Sequence, residues 1–146
     1  MTMNPSARRR SVLRLATICA LVGTACAGNA QLGAKALLQG SDSLRSAAAE
    51  GALLAEDAVS GKTTSNYVHE HAVELSESAS QVEATLRAGS TDPSLEPERG
   101  QLEVLARRVS DDLLRLSVAS AEEQRTLTSE LQAAADASQR IGDGLT

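Results

Sequence analysis

Two histidines, His69 and His71, flank Glu70, and Glu74 follows one helical turn after His71. Imidazoles beside carboxylates are the material of proton transfer or of a divalent metal site. A two-residue step turns a helix by about 200°, so the two rings point to opposite sides and cannot share one ion. Carboxylate-bridged di-iron bundles use Glu-x-x-His on facing helices. Here His71-Ala72-Val73-Glu74 runs in the reverse order and occurs once. No metal and no cofactor is therefore expected. What the spacing does assemble is a small polar cluster of Asp57, Tyr67, His71 and Glu74, where one helix ends and the next begins. Asp57 should come near Tyr67 across that corner, with His71 one turn further along the same flank. Such a cluster is either a binding site or the rim of a hairpin whose polar groups satisfy one another, Lys62 neutralising the acids. The rim is the expected reading, because such pairs are routine on bundles and carry little net energy.

Other catalytic chemistry has no foothold. No serine stands in a Gly-x-Ser-x-Gly setting, and no glycine-rich loop is available to cradle phosphate. The two cysteines are Cys19 and Cys26, and a mature exported chain would keep only Cys26, which leaves no spare thiol. No activated nucleophile or paired acid and base emerges, so an enzyme is not expected.

Cys26 has a different use. Arg8, Arg9, Arg10 and Arg14 precede the apolar, small-residue run Leu15 to Ala25, and no acid occurs before Asp42. A basic segment followed by about 11 apolar residues has the form of an export signal and is too short for a membrane span of roughly 20. Arg9-Arg10-Ser11-Val12-Leu13-Arg14 resembles the twin-arginine export motif in part, with Val12 where Phe is usual and Arg14 where Lys is usual; an ordinary secretory signal fits equally. Gly23-Thr24-Ala25-Cys26 resembles the bacterial lipobox, whose cysteine receives a diacylglycerol and becomes the new N-terminus. Thr24 and Ala25 fit that pattern and Gly23 departs from it. Ala25-Cys26-Ala27 also matches a small-x-small cleavage site that would release a soluble chain. The expected organisation is a signal peptide over 1–25, a lipidated Cys26, a tether over 26–30 and one domain over 31–146.

Four of the fourteen basic residues belong to the signal and all nineteen acids lie beyond it, which leaves ten against nineteen, a formal charge of −9. An acidic surface with one Tyr and no Phe or Trp offers neither a basic patch nor a stacking platform, so nucleic acid is excluded as a partner. Leu, Ile and Val make up about a fifth of the chain, which limits the core. Abundant Ala, Leu, Glu, Arg and Gln with few β-branched residues favour helices over sheet.

Periodicity then divides the domain. A first helix is expected from about Ala30 to Ser60, with Leu37, Leu44, Ala48, Gly51, Ala55 and Ala58 on one stripe and Gly61 as its stop. Thr63 or Thr64 caps a second, whose Val68, Ala72, Leu75, Ala79, Val82 and Leu86 alternate spacings of four and three. Ser90 to Pro97 reads as a turn-rich linker. A third stripe of Leu102, Leu105, Val109, Leu113 and Leu116 lapses, then resumes at Leu127, Leu131, Ala134 and Ile141. No Gly or Pro interrupts 101–141, so one long helix is possible, but Ser120-Ala121-Glu122-Glu123 has the capping-box pattern of a fresh start. A break near Ser117 to Ser120 and an antiparallel up-down four-helix bundle, all-α, are expected.

The stretch from Glu50 to Thr64 (EGALLAEDAVSGKTT), continued by Tyr67 to Leu75 (YVHEHAVEL), is similar to small exported or lipid-modified helical proteins of actinobacteria, a group with no assigned activity. The resemblance covers the middle third of the chain, implies a cell-envelope protein and carries over no catalytic residue. Two functions remain open. One is a non-catalytic structural or interaction module, held at the outer face of the cytoplasmic membrane by an N-terminal lipid and contacting an envelope protein or wall component. The other is a helical bundle that binds a small ligand or a metal.

Overall fold

The computed structural model describes residues 31–146; the basic segment, the apolar run and Cys26 lie outside them. A short strand β1 (Gln31–Leu32) leads into helix α1 (Ala34–Val59), then α2 (Ser65–Ala88), a second short strand β2 (Ser90–Thr91), α3 (Glu96–Leu116) and α4 (Ala121–Gly144). The four helices pack against one another as an all-α bundle.

Each helix end has a local cause. Gly61 takes φ +68°, a left-handed value that glycine adopts without strain. The Lys62 and Gly61 amides then bond back to the Asp57 and Ala58 carbonyls, closing α1 in a Schellman turn. Thr64 Oγ1 accepts from the Tyr67 amide to open α2. At α3, Asp92 Oδ1 takes the Ser94 amide, and Pro97 sits in the first turn, where its missing N–H costs nothing. The long stretch 101–141 does break: Ser117 closes α3, and Ser120 Oγ accepts from the Glu123 amide to start α4. Only half of the capping box forms, since the Glu123 carboxylate turns to Arg115 instead.

The stripes meet in one core. Leu37, Leu44, Leu102, Leu113, Leu116, Leu127 and Leu131 are fully buried, with alanines between them. α1 packs most extensively on α4 and α2 on α3. Small residues permit the first of these: at Gly142 a Cβ would lie 2.8 Å from Ser41 Oγ. Ser41 Oγ in turn donates to the Ser138 carbonyl at 2.6 Å. Across α2 and α3, Ser80 and Ser110 share a 2.8 Å hydrogen bond, and Glu83 joins Arg87 and Arg107. Such a Leu/Ala core fills space with short side chains, so helices approach closely only where the sequence supplies Gly, Ala or Ser.

Two expectations are corrected. The first helix does not start at Ala30; Gln31 and Leu32 are extended and pair in parallel with Ser90 and Thr91, and α1 begins at Ala34. Part of the expected linker is thus the partner strand of this pair. Leu32 is buried on Gly89, where a Cβ would lie 2.4 Å from Leu32 Cδ1, so this contact has room for glycine alone. The pair straps the entry of the chain to the α2–α3 turn.

Candidate functional site

The α1–α2 corner gathers three of the four expected residues and adds one. His71 Nε2 stands 2.7 Å from Glu50 Oε1, and its Nδ1 is 3.5 Å from Glu74 Oε2. Tyr67 stacks on the imidazole, with ring centroids 5.4 Å apart and 27° between the planes. Asp57 is engaged by Lys62 at 3.2 Å. Glu50, which the sequence reading did not include, lies two turns before Asp57 on α1. His69 turns the other way, its Nδ1 3.2 Å from the Ser117 carbonyl at the end of α3. Each histidine therefore ties α2 to a different neighbour, as their two-residue spacing requires.

The geometry decides what this cluster can do. Glu50 and Glu74 meet opposite nitrogens of one ring, so the two carboxylates cannot converge with His71 on a single ion. Among the described residues no group of three His, Cys, Asp or Glu side chains is placed to hold a metal. The flanking carboxylates are half to three-quarters exposed. Replacing His71 with Gln should change unfolding free energy by less than about 1 kcal/mol, as expected of exposed polar pairs. Urea titration of both proteins measures it, and a larger loss would make the corner a structural clasp.

A second polar centre lies between α3 and α4. Asp112 is 5% exposed, with Arg115 Nη1 at 3.0 Å and Arg108 Nε at 3.7 Å. Arg115 also reaches Glu123 and Glu130, each at 3.3 Å. Asp112 Oδ2 is buried and accepts no hydrogen bond. Burial, and next the charge of Glu130, push the Asp112 carboxyl above its ordinary value, while Arg108 and Arg115 pull the other way. A raised carboxyl favours the folded state when protonated. The stability Asp112 confers is thus fully present below its unfolded pKa and is lost as pH rises through its folded one. Carbon-13 NMR should find Asp112 titrating above 3.8, and Glu130→Gln should bring it down. An unchanged value in that variant would remove Glu130 as a cause. The stripe readily hides this residue: Asp112 falls three after Val109 and four before Leu116, on the buried side, and only its charge kept it out of the expected core.

An open groove of about 560 Å³ lies between the first half of α3 and the last half of α4. Pro97, Gly100, Val104 and Leu105 form one wall, Ala137 and Ile141 the other, with Arg108 at one end. Val104 is 69% exposed there. The adjoining mouth is lined by Glu98, Gln101, Arg140 and Gly144. Val104 falls off the buried stripe of α3 onto its outer face, which the sequence shows, but the spacing of α3 and α4 that makes a groove there is set by the core. Compared with known proteins, the chain matches no family model, no curated protein and no solved structure.

Proposed function

We propose that the chain is an exported, lipid-anchored protein of an actinobacterial cell envelope, acting as a non-catalytic structural or interaction module. The observation that carries this reading is the sequence over 8–26: basic residues, an apolar run of about 11, then small residues and Cys26. No described helix is long and apolar enough to cross a membrane, and the attachment in this reading is a lipid on Cys26. The described domain supports a contact role. It offers exposed helix faces and an open apolar groove, and its titratable clusters are engaged with one another.

The test is Cys26→Ser in a host that carries out lipidation. The substituted protein should move from the membrane fraction to the medium, and intact-mass analysis should show the loss of the diacylglycerol. Equal partitioning of the two proteins would refute the anchor.

A further inference from the structure

The apolar groove, its two charges and the entry of the chain all lie at one end of the bundle. β1 holds residue 31 beside the α2–α3 turn, and α3 begins five residues after β2. The groove runs along α3 from Pro97 to Arg108, about 16 Å at 1.5 Å per residue, and the mouth reaches Gly144 near the end of α4. Cys26 precedes Gln31 by five residues, a reach of at most about 17 Å. A lipid on Cys26 would therefore hold this end of the bundle, and the groove that opens there, against the bilayer.

The mouth carries one charge of each sign. Glu98 Oε2 is buried and accepts no hydrogen bond, and neither Glu98 nor Arg140 forms an ion pair with any described residue. Glu98 as a whole is only half-buried and lines the mouth, so its carboxylate is open to a donor that arrives there. Beside them, Val104, Leu105 and Ile141 leave apolar surface in water. An occupant that satisfies all of this has a cationic group, an anionic group and a hydrocarbon chain.

We infer that the α3–α4 groove takes one acyl chain of a zwitterionic membrane phospholipid of the ethanolamine type, its phosphate on Arg140 and its ammonium on Glu98. This inference rests on the lipid-anchored reading for the supply of lipid and the placement of the groove.

The probe is lysophosphatidylethanolamine carrying a nitroxide on its acyl chain, added to the full chain below the micelle concentration and followed by methyl NMR. The nitroxide should broaden Val104, Leu105 and Ile141 and leave Leu53 and Val118 sharp; these two are exposed at 59% and 80% outside the groove. Val104→Glu, a change at a solvent-facing position, should weaken binding at least tenfold with an unchanged thermal melt. The Glu98→Gln, Arg140→Gln double variant should lose the preference of the native protein for the ethanolamine over the glycerol head group. Broadening shared equally with Leu53 and Val118, or full affinity in Val104→Glu, would overturn the inference. Lipid-free broadening at Val104 that grows with protein concentration would also do so, by showing a second copy in the groove. Groove binding with unchanged partitioning of Cys26→Ser would remove the anchor and keep the groove; the converse would remove the groove alone.

Discussion

Leu113→Ala should lower the unfolding free energy by about 2 to 5 kcal/mol, the range for truncating a fully buried leucine whose surroundings relax only in part. Leu113 is 0% exposed, and its Cδ2 occupies the notch left by Gly51 on α1, lying 2.4 Å from where a Cβ would stand. The same leucine thus packs α3 diagonally against α1, one of the contacts that join the α1–α4 pair to the α2–α3 pair. Small domains have about 5 to 15 kcal/mol in total, and a core without Phe or Trp has few large contacts to make up the loss. Guanidinium unfolding should show a lower midpoint with an unchanged slope, the sign of lost stability in an intact fold. Gly51→Ala sharpens the test. Alone it should destabilise, because the clash with Leu113 and the 3.2 Å approach to Leu131 outweigh a helix-propensity gain of about 1 kcal/mol. In the Leu113→Ala background the clash is gone and the same substitution should stabilise. A Gly51→Ala effect of one sign in both backgrounds would mean that the two residues do not interlock.

How far the sequence led can be judged at particular residues. The stripe from Val68 to Leu86 falls on the buried face of α2, because a run of alternating four- and three-residue steps has only one helical solution. Gly61, Thr64 and Ser120 act at the helix ends where they were expected, since capping depends on side-chain chemistry within three or four residues. The β1–β2 pair was not legible. Two residues show no alternation, and Gln31–Leu32 meets Ser90–Thr91 only because the folded bundle brings α1's start beside α2's end. The corner was legible in part: Tyr67, His71 and Glu74 share a flank of one helix, which local spacing dictates. Glu50 joins them from another helix, and the register between helices is set by core packing that no local pattern records. The α3–α4 groove is of the same kind, since it exists only through how far two helices stand apart.

The α1–α4 seam gives the second large effect, and glycine decides it. Gly142 is buried where α4 crosses α1, and any Cβ there would press on Ser41 Oγ at 2.8 Å and approach Leu38 Cδ1 at 3.5 Å. The Ser41 hydroxyl has little freedom to yield, because it is buried and donates to the Ser138 carbonyl one turn earlier on α4. Ser138 Oγ is itself buried without a partner among the described residues, so the seam already carries one unmet hydroxyl before any Cβ is added. Gly142→Val should therefore part the two helices locally and cost about 1 to 3 kcal/mol, the usual penalty for overpacking. Gly144 is the control: it lies two residues on in the same last turn of α4, and a Cβ there meets nothing within 4 Å. Gly144→Val shares the change in backbone freedom and helix propensity but not the contact, so the difference between the two variants isolates the packing. Equal thermal melts for Gly142→Val and Gly144→Val would show that α1 and α4 do not need glycine to meet.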